Sequence, residues 1–165
     1  MEIRRATLND VSVIAQLFLN CWKISYEEVI DNSERENMNL VAATNLWTVA
    51  MQTNLERETF IGIVGGEVIG FFRIGPEEND PAIGHLFSLY VEPATSGRGH
   101  GKSLLSNAIK LLESRKFDSI SLWVFKENTA ARSLYNKFGF IPTGNEKTSL
   151  EWKTPEIEML KTSIS

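Results

Sequence analysis

Residues 96–103 read Ser96-Gly97-Arg98-Gly99-His100-Gly101-Lys102-Ser103, and they join a predicted strand, which Pro93 ends, to a predicted helix. The alternate glycines leave backbone N–H groups open to an anion, because no side chain stands in front of them. The start of the helix adds a partial positive charge at the same place. The segment therefore predicts a diphosphate site, with a flexible loop as the structural alternative.

Two nucleotide-binding motifs resemble this loop but differ from it in spacing. Gly101-Lys102-Ser103 matches the end of a P-loop, yet position 96 is Ser where that motif needs Gly. The next β run also ends in Val124-Phe125-Lys126, without the Asp that would help to hold magnesium. In the dinucleotide pattern G-x-G-x-x-G, the last glycine would fall on Lys102 or on Leu104. The sequence therefore disfavours an NTPase and a dinucleotide-binding enzyme.

The spacing of apolar and turn residues along the chain predicts one α/β domain over residues 1–165. Apolar residues at three- and four-residue steps predict a helix after a Thr7–Asp10 cap, another opened by a Ser33–Glu36 capping box, a third after Gly101 and a fourth over 128–138. Strands are predicted over 2–6, 59–64, 67–74, 82–91 and 119–125, and a last strand or hairpin is predicted over 140–152. Gly65-Gly66 is typical of a two-residue hairpin turn. The order is β-α-α-β-β-β-α-β-α-β, which predicts a mixed sheet flanked by helices.

Composition limits the classes of partner. The chain has 165 residues, of which 42% are hydrophobic, so it can bury a core without disulfides. Cys21 is the only cysteine, which favours a reducing compartment. The longest apolar region, 60–74, is broken by glycines and charges, and the first residues carry no apolar run. With a net charge of −4, we expect a cytoplasmic protein without a membrane or nucleic-acid partner.

Two blocks of the sequence resemble the GNAT superfamily of N-acetyltransferases. The segment from Leu89 to Pro93, followed by Gly97-Arg98-Gly99-His100-Gly101, resembles the family's strand, proline and Q/R-x-x-G-x-G/A pyrophosphate loop. The segment 128–140 resembles its N-x-x-A-x-x-x-Y-x-x-x-G-F helix. The resemblance implies a GNAT-type, mainly antiparallel sheet and direct acetyl transfer from acetyl-CoA to an amine of a small molecule or peptide, without a metal, in a monomer or homodimer. The alternative is a noncatalytic acyl-CoA-binding or regulatory module on the same fold.

The resemblance also implies roles for individual residues. Main-chain groups of the strand would bind the pantetheine arm, the loop amides would hold the pyrophosphate, and Asn128 would lie near the thioester. Tyr135 would also protonate the departing thiolate as a general acid. The implied cofactor-binding residues are Leu89, Tyr90, Val91, Ser96, Gly97, Arg98, Gly99, His100, Gly101, Lys102, Asn128 and Tyr135. Ser96 departs from the family's usual Gln or Arg, which removes one long donor, and His100 replaces an aliphatic or aromatic residue.

Three further residues are candidates on the acceptor side. His85 lies where family members often carry a glutamate that accepts the amine proton, and a purely structural histidine is the alternative. Trp22 and Tyr26 share a helix face in a region that borders the acceptor pocket of relatives, although aromatic residues at this spacing also suit a core. Acidic residues at 27, 28, 31, 77, 78 and 80 would favour a cationic amine if they line the same cleft, with solvated loops as the alternative.

Overall fold

The computed structural model describes residues 1–24, 26–148 and 153–162, and these residues form a seven-stranded sheet with helices on both faces. The strands are β1 (Glu2–Arg5), β2 (Glu58–Val64), β3 (Glu67–Pro76), β4 (Gly84–Val91), β5 (Ser119–Phe125), β6 (Ile141–Thr148) and β7 (Pro155–Thr162). The helices are α1 (Val11–Ile24), α2 (Asn32–Asn37), α3 (Leu40–Thr53), α4 (His100–Ser114) and α5 (Thr129–Lys137). Short 3₁₀ turns precede α1 and α4.

The sheet runs in the order β1-β2-β3-β4-β5-β7-β6, and every neighbouring pair is antiparallel except β4 and β5. The predicted mixed, mainly antiparallel sheet flanked by helices is confirmed. The hairpin turn between β2 and β3 has φ values of 59° at Gly65 and 83° at Gly66. Both values favour glycine, which is why this turn could be recognised in the sequence.

The predicted order is wrong at its second helix. The second predicted helix is split into α2 and α3, because Met38 adopts an extended conformation and Asn39 starts a new helix by accepting the Ala42 N–H at 2.9 Å. The residue that precedes α2 is Asp31, so Ser33 lies inside that helix instead of capping it. The last predicted strand or hairpin is a hairpin of β6 and β7, and β7 lies beyond the predicted range. Residues 149–152 of the predicted last strand lie outside the described residues.

Two hydrophobic clusters hold the helices to the sheet. Phe71 and Phe72 are consecutive in β3 and point to opposite faces, as expected for a strand. Phe71 packs with the α1 and α3 side chains Phe18 and Trp47, while Phe72 packs with Leu104 and its neighbours in α4. Each such burial contributes about 1.5–3 kcal/mol. Within the described residues, none of the helices has the length and apolar character needed to cross a membrane.

An irregularity in β4 opens the middle of the sheet. Arg73 pairs with Ser88, but the next residue, Ile74, pairs with Leu86, so Phe87 is an extra residue in a β-bulge. On its other side, β4 pairs with β5 only from Gly84 to Leu86. Beyond Leu86, β5 continues its pairing with β7 instead. In the described structure this leaves one edge of β4, from residue 87 to residue 91, without a strand partner.

Candidate active site

Two cavities meet at this opening. The loop cavity, with a volume of about 370 Å³, lies beside the end of β4 and the start of α4. The aromatic cavity, with a volume of about 380 Å³, lies among α1, α3 and the exposed ends of the central strands. The residues that line both cavities are Tyr26, Leu89, Tyr90, Asn128, Ala131 and Tyr135. A molecule bound in one cavity can therefore contact a molecule bound in the other.

The glycine loop lines one end of the loop cavity. Gly97 and Gly99 have φ values of 79° and 81°, and a Cβ atom added to either would meet nothing within 4 Å. The first hydrogen bond of the α4 ladder runs from the Ser103 N–H to the Gly99 carbonyl, at 3.1 Å. The amides of His100, Gly101 and Lys102 come before that bond, so they face out of the helix end. Open space and outward N–H groups together suit a phosphate.

Most of the predicted loop residues reach the loop cavity. Ser96, Gly97, Gly99, His100, Gly101 and Lys102 line it, together with Leu89, Tyr90 and Val91 of β4. Arg98 is exposed and does not line it. The β4 residues pair with β3 on one side, while their other edge has no strand partner in the described part of the chain. An extended arm with amide groups can add to that edge as a further strand would.

Asn128 and Tyr135 lie where the cavities join. The Asn128 side-chain oxygen accepts the Ala131 N–H at 3.2 Å and so caps α5, which leaves its NH₂ group as the donor. Tyr135 is 8% exposed, and its hydroxyl has no hydrogen-bond partner among the described residues. Burial raises the pKa of Tyr135 above its ordinary value, so the phenol keeps its proton. The junction therefore holds a protonated donor.

Trp22 and Tyr26 differ in their relation to the cavities, although their ring centres lie only 5.9 Å apart. Tyr26 lines both cavities, and its ring lies 5.2 Å from that of Phe125. Its hydroxyl is hydrogen-bonded to that of Tyr90. Trp22 is 1% exposed, stacks on Phe18 and lines neither cavity. Trp22 therefore packs in the core on the face of α1 that turns toward the sheet, and its acceptor-side role stays a prediction from the sequence.

His85 lies outside the two cavities that Tyr135 lines. It is 5% exposed and lines neither cavity, and its Nδ1 lies 2.7 Å from the Ser121 hydroxyl oxygen. Phe87, whose ring centre is 4.5 Å from that of His85, lines the aromatic cavity instead. Burial lowers the pKa of His85 to about 4, so the ring is neutral at neutral pH. These contacts suit the structural role that was the alternative for this residue.

Several residues that line the aromatic cavity were not predicted from the sequence. Its lining includes Arg57, Arg73, Phe87, Trp123, Phe125 and Glu156. No shared period or motif connects these positions, since they come from a turn and from four strands. None of the acidic residues at 27, 28, 31, 77, 78 and 80 lines either cavity. Glu77 instead accepts the N–H groups of Asn79 and Asp80, at 2.7 and 2.8 Å, within its own loop.

Cys21 lines the loop cavity but is poorly suited to nucleophilic attack. Its thiol donates a hydrogen bond to the Val91 carbonyl, with 3.0 Å between sulfur and oxygen. Burial, and after it the nearby Glu92, raise the pKa of the thiol to about 12. Since the thiolate is the nucleophilic form, this cysteine is unreactive near neutral pH.

Comparison with known proteins points to one family. The model of the acetyltransferase (GNAT) family matches residues 17–140. The chain is 24% identical to the uncharacterized N-acetyltransferase YuaI of Bacillus subtilis, over 100% of this chain and 99% of that protein. It is 27% identical to the spermidine N(1)-acetyltransferase of Thermoplasma acidophilum, over 85% of this chain and 88% of that protein.

Solved structures share the fold. The paia N-acetyltransferase of Thermoplasma acidophilum, crystallised in complex with coenzyme A, superposes with a TM-score of 0.75 at 21% identity, covering 98% of each chain. The ribosomal-protein-alanine N-acetyltransferase of Brucella melitensis also gives a TM-score of 0.75 at 21% identity, covering 99% of this chain and 100% of that one.

Proposed function

This chain belongs to the GNAT family of acetyltransferases, and on that premise we propose that it transfers the acetyl group of acetyl-CoA directly to an amine held in the aromatic cavity. The observation that carries the proposal is the junction of the two cavities at Asn128 and Tyr135. Donor and acceptor can bind at the same time there, which gives the proximity that a direct transfer needs. Residues 1–165 would act as a single domain.

The loop cavity would bind acetyl-CoA. The amides from Gly97 to Lys102 would hold the pyrophosphate, and the free edge of β4 at Leu89–Val91 would pair with the pantetheine amides. The Asn128 NH₂ group would contact the cofactor beside the thioester. Ser96 offers only a short hydroxyl at this loop, so backbone amides would supply most of the hydrogen bonds to phosphate.

Acetyl transfer would take place where the two cavities join. The lone pair of the amine attacks the thioester carbonyl carbon, a C–N bond forms, and the C–S bond breaks. Tyr135 gives its proton to the leaving thiolate, and the amine loses one proton. Glu156 is a carboxylate that lines the aromatic cavity, so it is the better placed acceptor for that proton, and His85 remains the prediction made from the sequence.

Two substitutions distinguish these proton acceptors. Glu156→Gln and His85→Ala are compared with wild type across a pH series, with acetyl-CoA saturating. We expect Glu156→Gln to lower turnover and alter the acidic limb of the profile, because the amide accepts no proton. If only His85→Ala loses the acidic limb, and that variant is folded, His85 is the proton acceptor instead.

Acetyl-CoA binding and thiol release together test the proposed function. Acetyl-CoA should raise the Tm of the protein, since a ligand that binds only the folded state stabilises it. Free CoA thiol should then appear when amines are added. Binding of acetyl-CoA without thiol release from any amine would favour the noncatalytic acyl-CoA-binding module.

A further inference from the structure

A buried cation lies at the aromatic cavity, and the described part of the chain gives it no anionic partner. Arg73 is 6% exposed and lines this cavity from β3. Its guanidinium donates to the Thr59 hydroxyl at 2.9 Å and to the carbonyl oxygens of Ala50 and Asn54. These acceptors are neutral, and within the described residues no carboxylate lies at ion-pair distance from Arg73. A buried charge of this kind is costly unless it is paired.

A second cation lies close to the first. Arg57 also lines the aromatic cavity and lies over the Phe87 ring, 4.0 Å from its centre. Its ion pair with Glu78 is long, at 3.8 Å, and the Glu78 side chain is 76% exposed, so solvent screens the attraction. Burial and then the charge of Arg57 lower the pKa of Arg73 to about 10, which leaves the Arg73 guanidinium positive at neutral pH. Among the described residues, the cationic end of the cavity therefore has only one carboxylate at ion-pair distance, the exposed Glu78 beside Arg57.

The rest of the lining is mostly aromatic and aliphatic, and its polar groups are Ser88, Asn128, Glu156 and the hydroxyls of three tyrosines. Trp47, Phe87, Trp123 and Phe125 contribute aromatic rings to the wall. Glu156 and Phe125 are paired in neighbouring strands, and Asn128 follows Phe125 closely in the chain, so the carboxylate lies toward the junction. Arg57 and Arg73 belong to the β2–β3 side of the sheet, across the cavity. The two charged ends and the apolar wall define what kind of molecule would fit between them.

We infer that the acceptor is a small amine that also carries a carboxylate or similar anionic group on an apolar body, and that Arg57 and Arg73 bind the anionic group. This inference rests on the proposed function, because it names the substrate class of the same site. The amine would lie near Glu156 and Tyr135, and the anion would receive guanidinium N–H groups at the other end. Arginine suits this contact because its planar donors match the two oxygens of a carboxylate. Arg57 and Arg73 would then set specificity and position the acceptor.

Matched pairs of amines test the inference. Each pair compares an amino acid with the amine that lacks its carboxylate, such as phenylalanine with phenethylamine and leucine with isoamylamine. Spermidine represents a polycationic acceptor, and a dipeptide represents a peptide. Thiol release gives kcat/KM for each. We expect acids to exceed their carboxylate-free partners by about tenfold or more, because a hydrogen-bonded charge contact is worth at least that much.

Arg57→Met is the decisive variant. Methionine keeps an apolar side chain against Phe87, and Arg57 makes no buried ion pair that its loss would break. KM for the acids should rise about tenfold with kcat little changed, while the carboxylate-free amines should react as before. Arg73→Lys, which keeps the charge but loses the fork of donors, should show a partial effect. Arg115→Met is the matched control, since Arg115 follows the end of α4, lines neither cavity and pairs with Glu58.

Three results would overturn the inference. Spermidine or carboxylate-free amines could react as well as the acids, or Arg57→Met could slow both members of a pair equally. In either case acetyl transfer itself would still stand. The third result is acetyl-CoA binding without transfer to any amine, which would remove the proposed function and this inference with it.

Discussion

Replacing Tyr135 with Phe removes one hydroxyl from the junction of the cavities and leaves the ring in place. Because that hydroxyl has no hydrogen-bond partner among the described residues, its loss leaves no other protein group unsatisfied. We therefore expect the free energy of unfolding to change by less than about 1 kcal/mol. Any large loss of turnover would then report on chemistry and not on folding.

The expected loss follows from the role of a general acid. Such a group contributes about a hundredfold or more to the rate, which corresponds to about 2.7 kcal/mol of activation free energy. Burial raises the pKa of Tyr135, so the wild-type phenol stays protonated from about pH 6 to pH 9. The ratio of wild-type to mutant rate should accordingly stay constant across that range.

Single-turnover thiol release is the appropriate assay, because it separates the chemical step from product release. Calorimetry with acetyl-CoA and urea unfolding complete the comparison, and both should be nearly unchanged in Tyr135→Phe. A mutant rate equal to wild type at every pH would show that the hydroxyl donates no proton in the rate-limiting step. A fall in acetyl-CoA affinity as large as the fall in rate would show instead that Tyr135 only binds the cofactor.

Three further predictions concern binding and stability. Gly99→Val should weaken acetyl-CoA binding measured by calorimetry, because the new side chain enters the open space of the loop, where Gly99 has a φ of 81°. Gly144→Val is the control, since Gly144 has a φ of 93° and equally open surroundings on an edge strand, and this variant should keep wild-type affinity. Equal effects of the two substitutions on affinity would refute the placement of acetyl-CoA at the loop. The free energy of unfolding of the wild type, measured in urea, should fall by up to about 3 kcal/mol between pH 7 and pH 4 because of His85. In that range the unfolded imidazole takes up a proton, whereas the folded ring, with a pKa of about 4, does not. His85→Ala should make the free energy of unfolding depend less on pH. Asp10→Asn should cost about 1–2 kcal/mol at pH 7 because Asp10 accepts two N–H bonds from Arg4, at 2.9 and 2.8 Å. Its pKa is lowered to about 2, so this difference should be present above about pH 4 and should vanish as the pH falls through 2; a constant difference would contradict it.

The surroundings of His85 show a limit of assigning a residue by its distance from a motif. Between His85 and the glycine loop lies the bulge at Phe87, where one extra residue changes the alternation of faces, and the role of His85 as a base stays a prediction. Nothing in the local sequence marks that bulge. The result is that Phe87 lines the aromatic cavity and His85 pairs with Ser121 beneath it.

The second predicted helix shows a related limit. Its apolar spacing was compatible with one continuous element, and the extended conformation of Met38 divides it. Asn39 was the local signal for a new helix, since its side chain caps α3. A capping residue such as Asn39 can be recognised only if the helix is not assumed to continue through it.

By itself, the sequence determined the parts of this protein that depend on short-range chemistry. Gly65 and Gly66 define a hairpin turn, Gly97 and Gly99 keep a loop free of side chains, and segment 128–140 carries Tyr135, because each feature is set by residues within a few positions of one another. Only the tertiary structure decided which residues line the aromatic cavity. Arg57, Arg73 and Glu156 are far apart in the chain, and they meet at one cavity only because the strands that carry them are assembled into one sheet.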